Sequence, residues 1–352
     1  MSKKLLAKFL FLLIIFSILT TFSFSEGTPL RKPLTFQYFT PKEGLSSEMV
    51  YAIAVQGDDV WFGTYAGGAT FYNRPKKIIK AYTTKGEPMD TVDDGVSINW
   101  KNLLPYNHVT VILPDVDRIW FGTHFYGFKG GGISYFHPQR QPPWKVFNTN
   151  NGRAKKIISM ALDGETLWVG SEKGLNSLDK KTEAWKQFFS TQEGISGNFI
   201  NTILIQSDSL WIGTNGGISR LLKGKKIWRN YSQKEGLSET EIKSIIKIED
   251  RIWAGESGGG LYEYDVQGDR WKRFESKDPL KNGSIHSMAL IKGKVFICRE
   301  NGVSIFDLQT RQWESLTTSD GLLSNMVLCV AEDRGGIWFG TDRGASKLIL
   351  NP

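Results

Sequence analysis

Six tryptophans each open the same short pattern: Trp61-Phe-Gly-Thr, Trp120-Phe-Gly-Thr, Trp168-Val-Gly-Ser, Trp211-Ile-Gly-Thr, Trp253-Ala-Gly-Glu and Trp338-Phe-Gly-Thr. A seventh copy, Phe296-Ile-Cys298-Arg, keeps the place with Phe for Trp and Cys for Gly. The successive spacings from 61 to 338 are 59, 48, 43, 42, 43 and 42 residues. A period near 42 marks a repeat array in which each unit buries its apolar faces only against its neighbours. Each repeat has an apolar run before the motif, the motif strand, a Gly turn such as Asn215-Gly216-Gly217, and a second strand such as Ile218 to Leu222. A further strand often opens on its own tryptophan, at Trp144, Trp185, Trp228, Trp271 and Trp313. Four short alternating strands per repeat, joined by tight turns, predict the blade of a β-propeller.

The ends predict how the ring closes. After Trp338 one more strand follows, Ala345 to Ile349, and the last blade lacks its outer strand. Leu34 to Thr40 (LTFQYFT) resembles the outer strands WKQFFST and WKRFESK and can supply it, which removes an open sheet edge. The expectation is an all-β protein, one seven-bladed β-propeller over residues 26–352 with four antiparallel strands per blade. A chain of 352 residues would otherwise suggest about two domains.

Residues 1–25 read as a signal peptide. Lys3, Lys4 and Lys8 precede the uncharged run Phe9 to Phe24, and Ser23-Phe24-Ser25 offers small residues at the cleavage spacing. That run of 16 residues is short of the roughly 20 of a spanning helix, so cleavage is expected, with an uncleaved anchor as the alternative. The three lysines contribute to the formal net charge of +8, and no other stretch is apolar enough to span a membrane. A periplasmic or extracellular location follows. Export and scattered charge disfavour nucleic acid.

The unit seen in Glu43-Gly44-Leu45-Ser46 through Trp61-Phe62-Gly63-Thr64, in Glu235-Gly236-Leu237-Ser238 through Trp253, and in Asp320-Gly321-Leu322 through Trp338 resembles the two-component regulator propeller repeat. That resemblance implies the sensory part of bacterial membrane sensors, often two propellers followed by an immunoglobulin-like domain, a membrane helix and a histidine kinase, with glycan fragments as ligands. One propeller and no kinase-like segment are read here, so a stand-alone sensor-type propeller is expected.

In a four-strand meander a-b-c-d, the b–c turn and the d–a connection between blades share one edge, and the a–b and c–d turns share the other. The 59-residue spacing comes from a long d–a connection, Lys85 to Asn107, and the 48-residue spacing from a long b–c turn, His124 to Gly131. Both insertions therefore lie on one face at neighbouring blades, where ordered loops on a rigid scaffold usually carry binding residues. The candidate ligand-binding residues are Asp93, Asp94, Trp100, Tyr106, His108, His124, Phe125, Tyr126 and Phe128, since rings beside carboxylates and histidines suit a sugar or peptide. The alternative is a self-packed Ω-type loop. The repeat tryptophans Trp61, Trp120, Trp168, Trp211, Trp253 and Trp338 are assigned to packing.

No catalytic residue and no metal site is assigned. Gly255-Glu-Ser257-Gly-Gly259 matches G-x-S-x-G but falls in a strand-to-strand turn. Asp90 to Gly95 fails as an EF-hand because Val92 and Lys101 stand at ligand positions. No cofactor is expected, with a loose calcium site at Asp90, Asp93 and Asp94 as the alternative. His137 is placed on the opposite face, away from the His108/His124 pair. Lysines at c–d turns, such as Lys76-Lys77 and Lys180-Lys181, read as charged turns, or as attraction to an anionic surface. Cys298 and Cys329 read as small buried residues, a disulfide being the alternative. The expected function is non-enzymatic recognition of a glycan, a peptide or an exported protein partner. A propeller lyase or glycan hydrolase, and a cell-envelope interaction scaffold, are the alternatives.

Overall fold

The Trp motif occupies strand b of each blade, and its burial explains its composition. Asp59–Thr64 and its equivalents are buried on both faces because a blade packs on either side, so they read as nearly continuous apolar runs. The outer strands alternate instead, as in Ile227–Tyr231, since their outward side chains meet solvent. The computed structural model describes residues 34–84, 89–90, 103–124, 131–223, 225, 227–238, 241–274 and 277–350. They form seven antiparallel sheets. Blade one has strands Val50–Gln56, Asp59–Thr64, Gly68–Asn73 and Ile78–Tyr82; blade two has Val109–Pro114, Ile119–Thr123, Gly132–Phe136 and Trp144–Val146. Blades three to six span 157–189, 200–231, 242–273 and 285–316.

The expected closure is present. Thr35–Phe39 is the outer strand of blade seven, antiparallel to Gly344–Ile349 in the register Thr35↔Ile349 to Phe39↔Ala345. Blade one has its four strands and one addition: Met89–Asp90 pairs with its outer strand (Lys80↔Asp90, Ala81↔Met89). The long d–a connection thus first turns back along the rim of blade one.

Every a–b ladder carries a bulge at the second residue of strand a: Tyr51, Thr110, Ile158, Asn201, Lys243, His286 and Leu328. A bulge re-aims the strand and adds twist. Polar side chains at or beside it bond the next blade: Thr110 donates to the Ile157 carbonyl at 2.6 Å, Ser159 to Ile200 at 2.7 Å and Asn201 to Ile242 at 3.0 Å. The motif glycine faces the first residue of the next blade. A Cβ on Gly63, Gly213 or Gly255 would lie 2.7–2.8 Å from a methyl of Val109, Ile242 or Ile285. Packing here has no room for even one methyl.

The core is accordingly a series of layers between blades. One contains Trp61 and Ala54 of blade one with Val109, Phe121 and Trp144 of blade two. The six repeat tryptophans are 0–6% exposed, as the packing assignment requires. Cys298 takes the glycine position of blade six and is buried beside Val327; both cysteines are free thiols. Arg299 of the same blade forms a buried ion pair at 2.7 Å with Asp278 of the connection from blade five.

Candidate functional site

The upper face is defined here by the d–a connections and b–c turns, the lower face by the a–b and c–d turns. Of the candidate residues, Tyr106, His108 and His124 lie among the described residues, whereas Asp93, Asp94, Trp100, Phe125, Tyr126 and Phe128 lie outside them, as do Glu26 and the segment read as a signal peptide.

His108 and His124 are brought together. His108 opens strand a of blade two and His124 follows strand b, and the His124 backbone N–H donates to the His108 carbonyl at 2.9 Å. Their ring centres are 5.5 Å apart with the planes inclined at 63°. Tyr51 from the bulge of blade one lies 4.7 Å from His108, and Tyr65 from its b–c turn lies 4.9 Å away. His108 is buried between them, while Tyr65 is 42% exposed. The site is therefore a cluster of two tyrosines and two histidines at the upper junction of blades one and two. Tyr51 and Tyr65 were not among the sequence candidates. They could have been found from repeat register, since Tyr65 holds the position after the motif that His124 holds in blade two.

The end of the long connection is anchored rather than loose. Leu103 and Leu104 are buried in the layer between these blades, Asn107 accepts from Gly68 N–H at 2.8 Å and its side chain from Thr84 N–H at 2.7 Å. Tyr106 is half-buried in this segment.

Burial pushes the His108 imidazole down to about 4, helped by the neighbouring His124. His124 is lowered by burial; Glu172 opposes the shift and Lys156, 2.9 Å from Glu172, adds to it. Both rings are neutral near pH 7, so the cluster offers hydrogen bonding and ring faces rather than positive charge. Among the described residues no group of three or more His, Cys, Asp or Glu is placed to hold a metal. The G-x-S-x-G stretch is a strand-to-strand turn whose Glu256 is buried, accepting from Ser238 at 2.8 Å and Tyr262 at 3.0 Å.

On the lower face His137 meets Asp117 at 3.2 Å, remote in the fold from His108 and His124. Some c–d cations tie blades together: Lys180 reaches Asp115 of blade two at 2.9 Å, and Arg74 pairs with Asp333 of blade seven. The same face holds a cleft between blades one and two that sequence reasoning missed. Its signal was the seven-residue c–d connection His137 to Pro143, against four residues in blade one.

Residues 321–343 match the family model described as two component regulator propeller. Histidine kinase P4 of Formosa agariphila is 30% identical over 206 residues, covering 45% of this chain and 14% of that protein. Among solved structures, an extracellular domain assigned to the hybrid two component system BT3049 of B. thetaiotaomicron superposes with a TM-score of 0.72 at 21% identity, over 90% of this chain and 41% of that one. One assigned to the one component system BT4673 of the same organism gives 0.67 at 19% identity, over 91% and 40%. The chain thus spans a seventh of the kinase and about two fifths of each solved chain. Among the described residues no helix is long and apolar enough to cross a membrane.

Proposed function

We propose that this seven-bladed propeller, which matches the two component regulator propeller model over residues 321–343, is an exported, sensor-type recognition protein without catalytic activity of its own. Its ligand is a small glycan or peptide, held on the upper face where the blade-one and blade-two insertions emerge. The observation that carries this reading is the Tyr51, Tyr65, His108, His124 cluster at the junction from which both insertions leave. Neutral rings in a rigid frame suit stacking and directed hydrogen bonds with little ordering cost. Kinship in architecture to extracellular domains of sensor systems supports the compartment and the role.

A glycan and peptide array probed with residues 26–352 tests this. The expected result is saturable binding to one ligand class, weakened about tenfold or more by Tyr65→Ala or Trp100→Ala, the loss of one good ring contact and its hydrogen bond. Binding unaffected by both changes, or turnover of an array member, would overturn it.

A further inference from the structure

The lower cleft between blades one and two has a volume of about 480 Å³, within the range of small-molecule sites. Strand register fixes which side chains face it, because residues directly opposite on neighbouring strands share a face of the sheet. In blade one the rows are Trp61↔Phe71↔Lys80 and Asp59↔Asn73↔Ile78, with Tyr82 two residues beyond Lys80. In blade two the row is Ile119↔Phe136↔Trp144. The two surfaces turn toward each other, since Trp61, Phe71, Tyr82, Ile119, Phe136 and Trp144 meet in one packed layer. Trp61 lies 5.0 Å from Phe71, 5.5 Å from Tyr82 and 5.6 Å from Phe136, and these four rings wall the cleft. The Arg118 guanidinium turns away from it, lying 5.9 and 4.8 Å from the ring centres of Trp120 and Tyr135 on the blade-three side of its sheet.

One donor on this surface is open. The Trp61 side chain is 1% exposed, and its indole N–H has no hydrogen-bond partner among the described residues. Equivalent indoles are satisfied: Trp120 donates to Asp115 at 3.2 Å, Trp211 to Gln206 at 3.3 Å and Trp338 to Asp333 at 2.9 Å, each acceptor five residues earlier at the lower end of strand a. Trp253 instead uses Glu263 across the sheet at 3.1 Å. In blade one the residue five earlier is Gln56, which borders the cleft, so the same register aims the Trp61 N–H into it. The Gln56 amide donates to the Asp115 carbonyl of blade two at 3.0 Å, and Phe71 stands across the sheet. The Trp168 indole also lacks a partner, because Asp163 is held by Lys223; Trp61 differs in lining a cleft.

A buried donor left open carries the full cost of its lost hydration, so an occupant that brings an acceptor is favoured over one that brings donors. The charges on these faces decide against an anion. Asp59, two residues from Trp61 on the same face, carries a carboxylate that takes the Asn73 amide at 2.6 Å; Lys80 is already engaged, and Lys76 is exposed at the rim. An anionic acceptor would be desolvated beside Asp59 with no cation to meet it, whereas a carbonyl loses less hydration. A ring suits the walls, because edge and face contacts with several rings add to the area buried. We propose that this cleft binds a small uncharged aromatic molecule that carries a carbonyl acceptor, such as an aryl amide. The carbonyl accepts from the Trp61 indole and the ring lies on Phe71, Tyr82 and Phe136. This site is on the face opposite the tyrosine and histidine cluster and stands independently of it.

Calorimetric titration of the purified chain with 3-phenylpropionamide, 3-phenylpropionate and methyl glucoside tests this. The amide binds saturably and the acid about tenfold more weakly or worse; Trp61→Phe, which keeps a ring and removes the donor, weakens the amide about tenfold, the loss of one hydrogen bond. Trp168→Phe, which removes an open indole from a layer without the cleft, leaves binding of the amide unchanged. Should Trp61→Phe not fold, the Trp61 indole proton resonance of the unmodified chain, assigned through its contacts to Phe71 and Phe121, supplies the second readout, since it moves on titration with the amide. No saturable binding of the amide, equal or tighter binding of the acid, an equal loss in both tryptophan variants, or an unmoved indole resonance overturns the assignment. So does tighter binding of the glucoside, which would make this a sugar site.

Discussion

His108 shows how much a residue's role depends on what the fold puts around it. In the sequence it is a histidine before an apolar strand; in the ring it is enclosed by Tyr51, Tyr65 and His124 and stays neutral down to about pH 4. Unfolding releases it to an ordinary value of 6.5, so between pH 6.5 and 4 the unfolded chain binds a proton that the folded chain refuses. The stabilisation is complete above pH 6.5 and is lost as pH falls toward 4. His124 and His286, both lowered by burial, act in the same direction. Thermal melts from pH 7.5 to 4 should therefore show a falling midpoint, and His108→Phe should flatten that fall; an equally steep profile in the variant would refute the attribution. His108 and His124 were legible as candidates because the insertions flank them. Tyr51 and Tyr65 were legible only through repeat register, because nothing in their own segments departs from the repeat.

At the scale of elements, the turn after an outer strand is a small device used four times among the described residues. Thr40, Ser190, Ser232 and Thr317 precede a single 3₁₀ turn, the acid three residues on folds back to the capping residue, and Gly44, Gly194, Gly236 and Gly321 follow at φ near 100°. Glycine is required there because a Cβ strains that conformation. The next residue, Leu45, Ile195, Leu237 or Leu322, is buried. This is the physical content of the Glu-Gly-Leu-Ser signature: an N-cap, a left-handed stop and an apolar anchor. Ser190 caps the Gln192 N–H at 3.2 Å, so Ser190→Ala should cost about 1 kcal/mol in urea unfolding, while Ser190→Thr should cost little. Blade two lacks this device, and Asn150 and Asn151 turn the chain with positive φ instead. The addition to the edge of blade one was not legible for a local reason. Met89–Asp90 adds only two residues to the edge, too few to leave any alternation in the sequence.

At the scale of the whole molecule, closure depends on one strand from the far end of the chain. Thr35–Phe39 covers the edge of Gly344–Ile349, and Phe39 joins Leu45, Val50, Phe62 and Trp338 in the layer between blades seven and one. Removing residues 34–39 deletes that buried ring and opens a sheet edge, so the unfolding free energy should fall by at least about 3 kcal/mol, the usual cost of losing one buried Phe. Aggregation should rise through the exposed edge. A deletion variant with the parent's midpoint would mean that the ring closes by other contacts.

The number of blades, the strands of most of them, the position of the closing strand and the face of the two insertions followed from the sequence alone. Repetition explains why: each 42-residue unit meets nearly the same environment, so burial between blades imposes the same Trp-x-Gly pattern again and again. What only the tertiary structure decided lies between the units. The ring cluster above blades one and two and the ion pair of Arg299 with Asp278 join residues from separate segments. Such pairings depend on which side chain a neighbouring strand or blade presents, and periodicity within one repeat does not encode that.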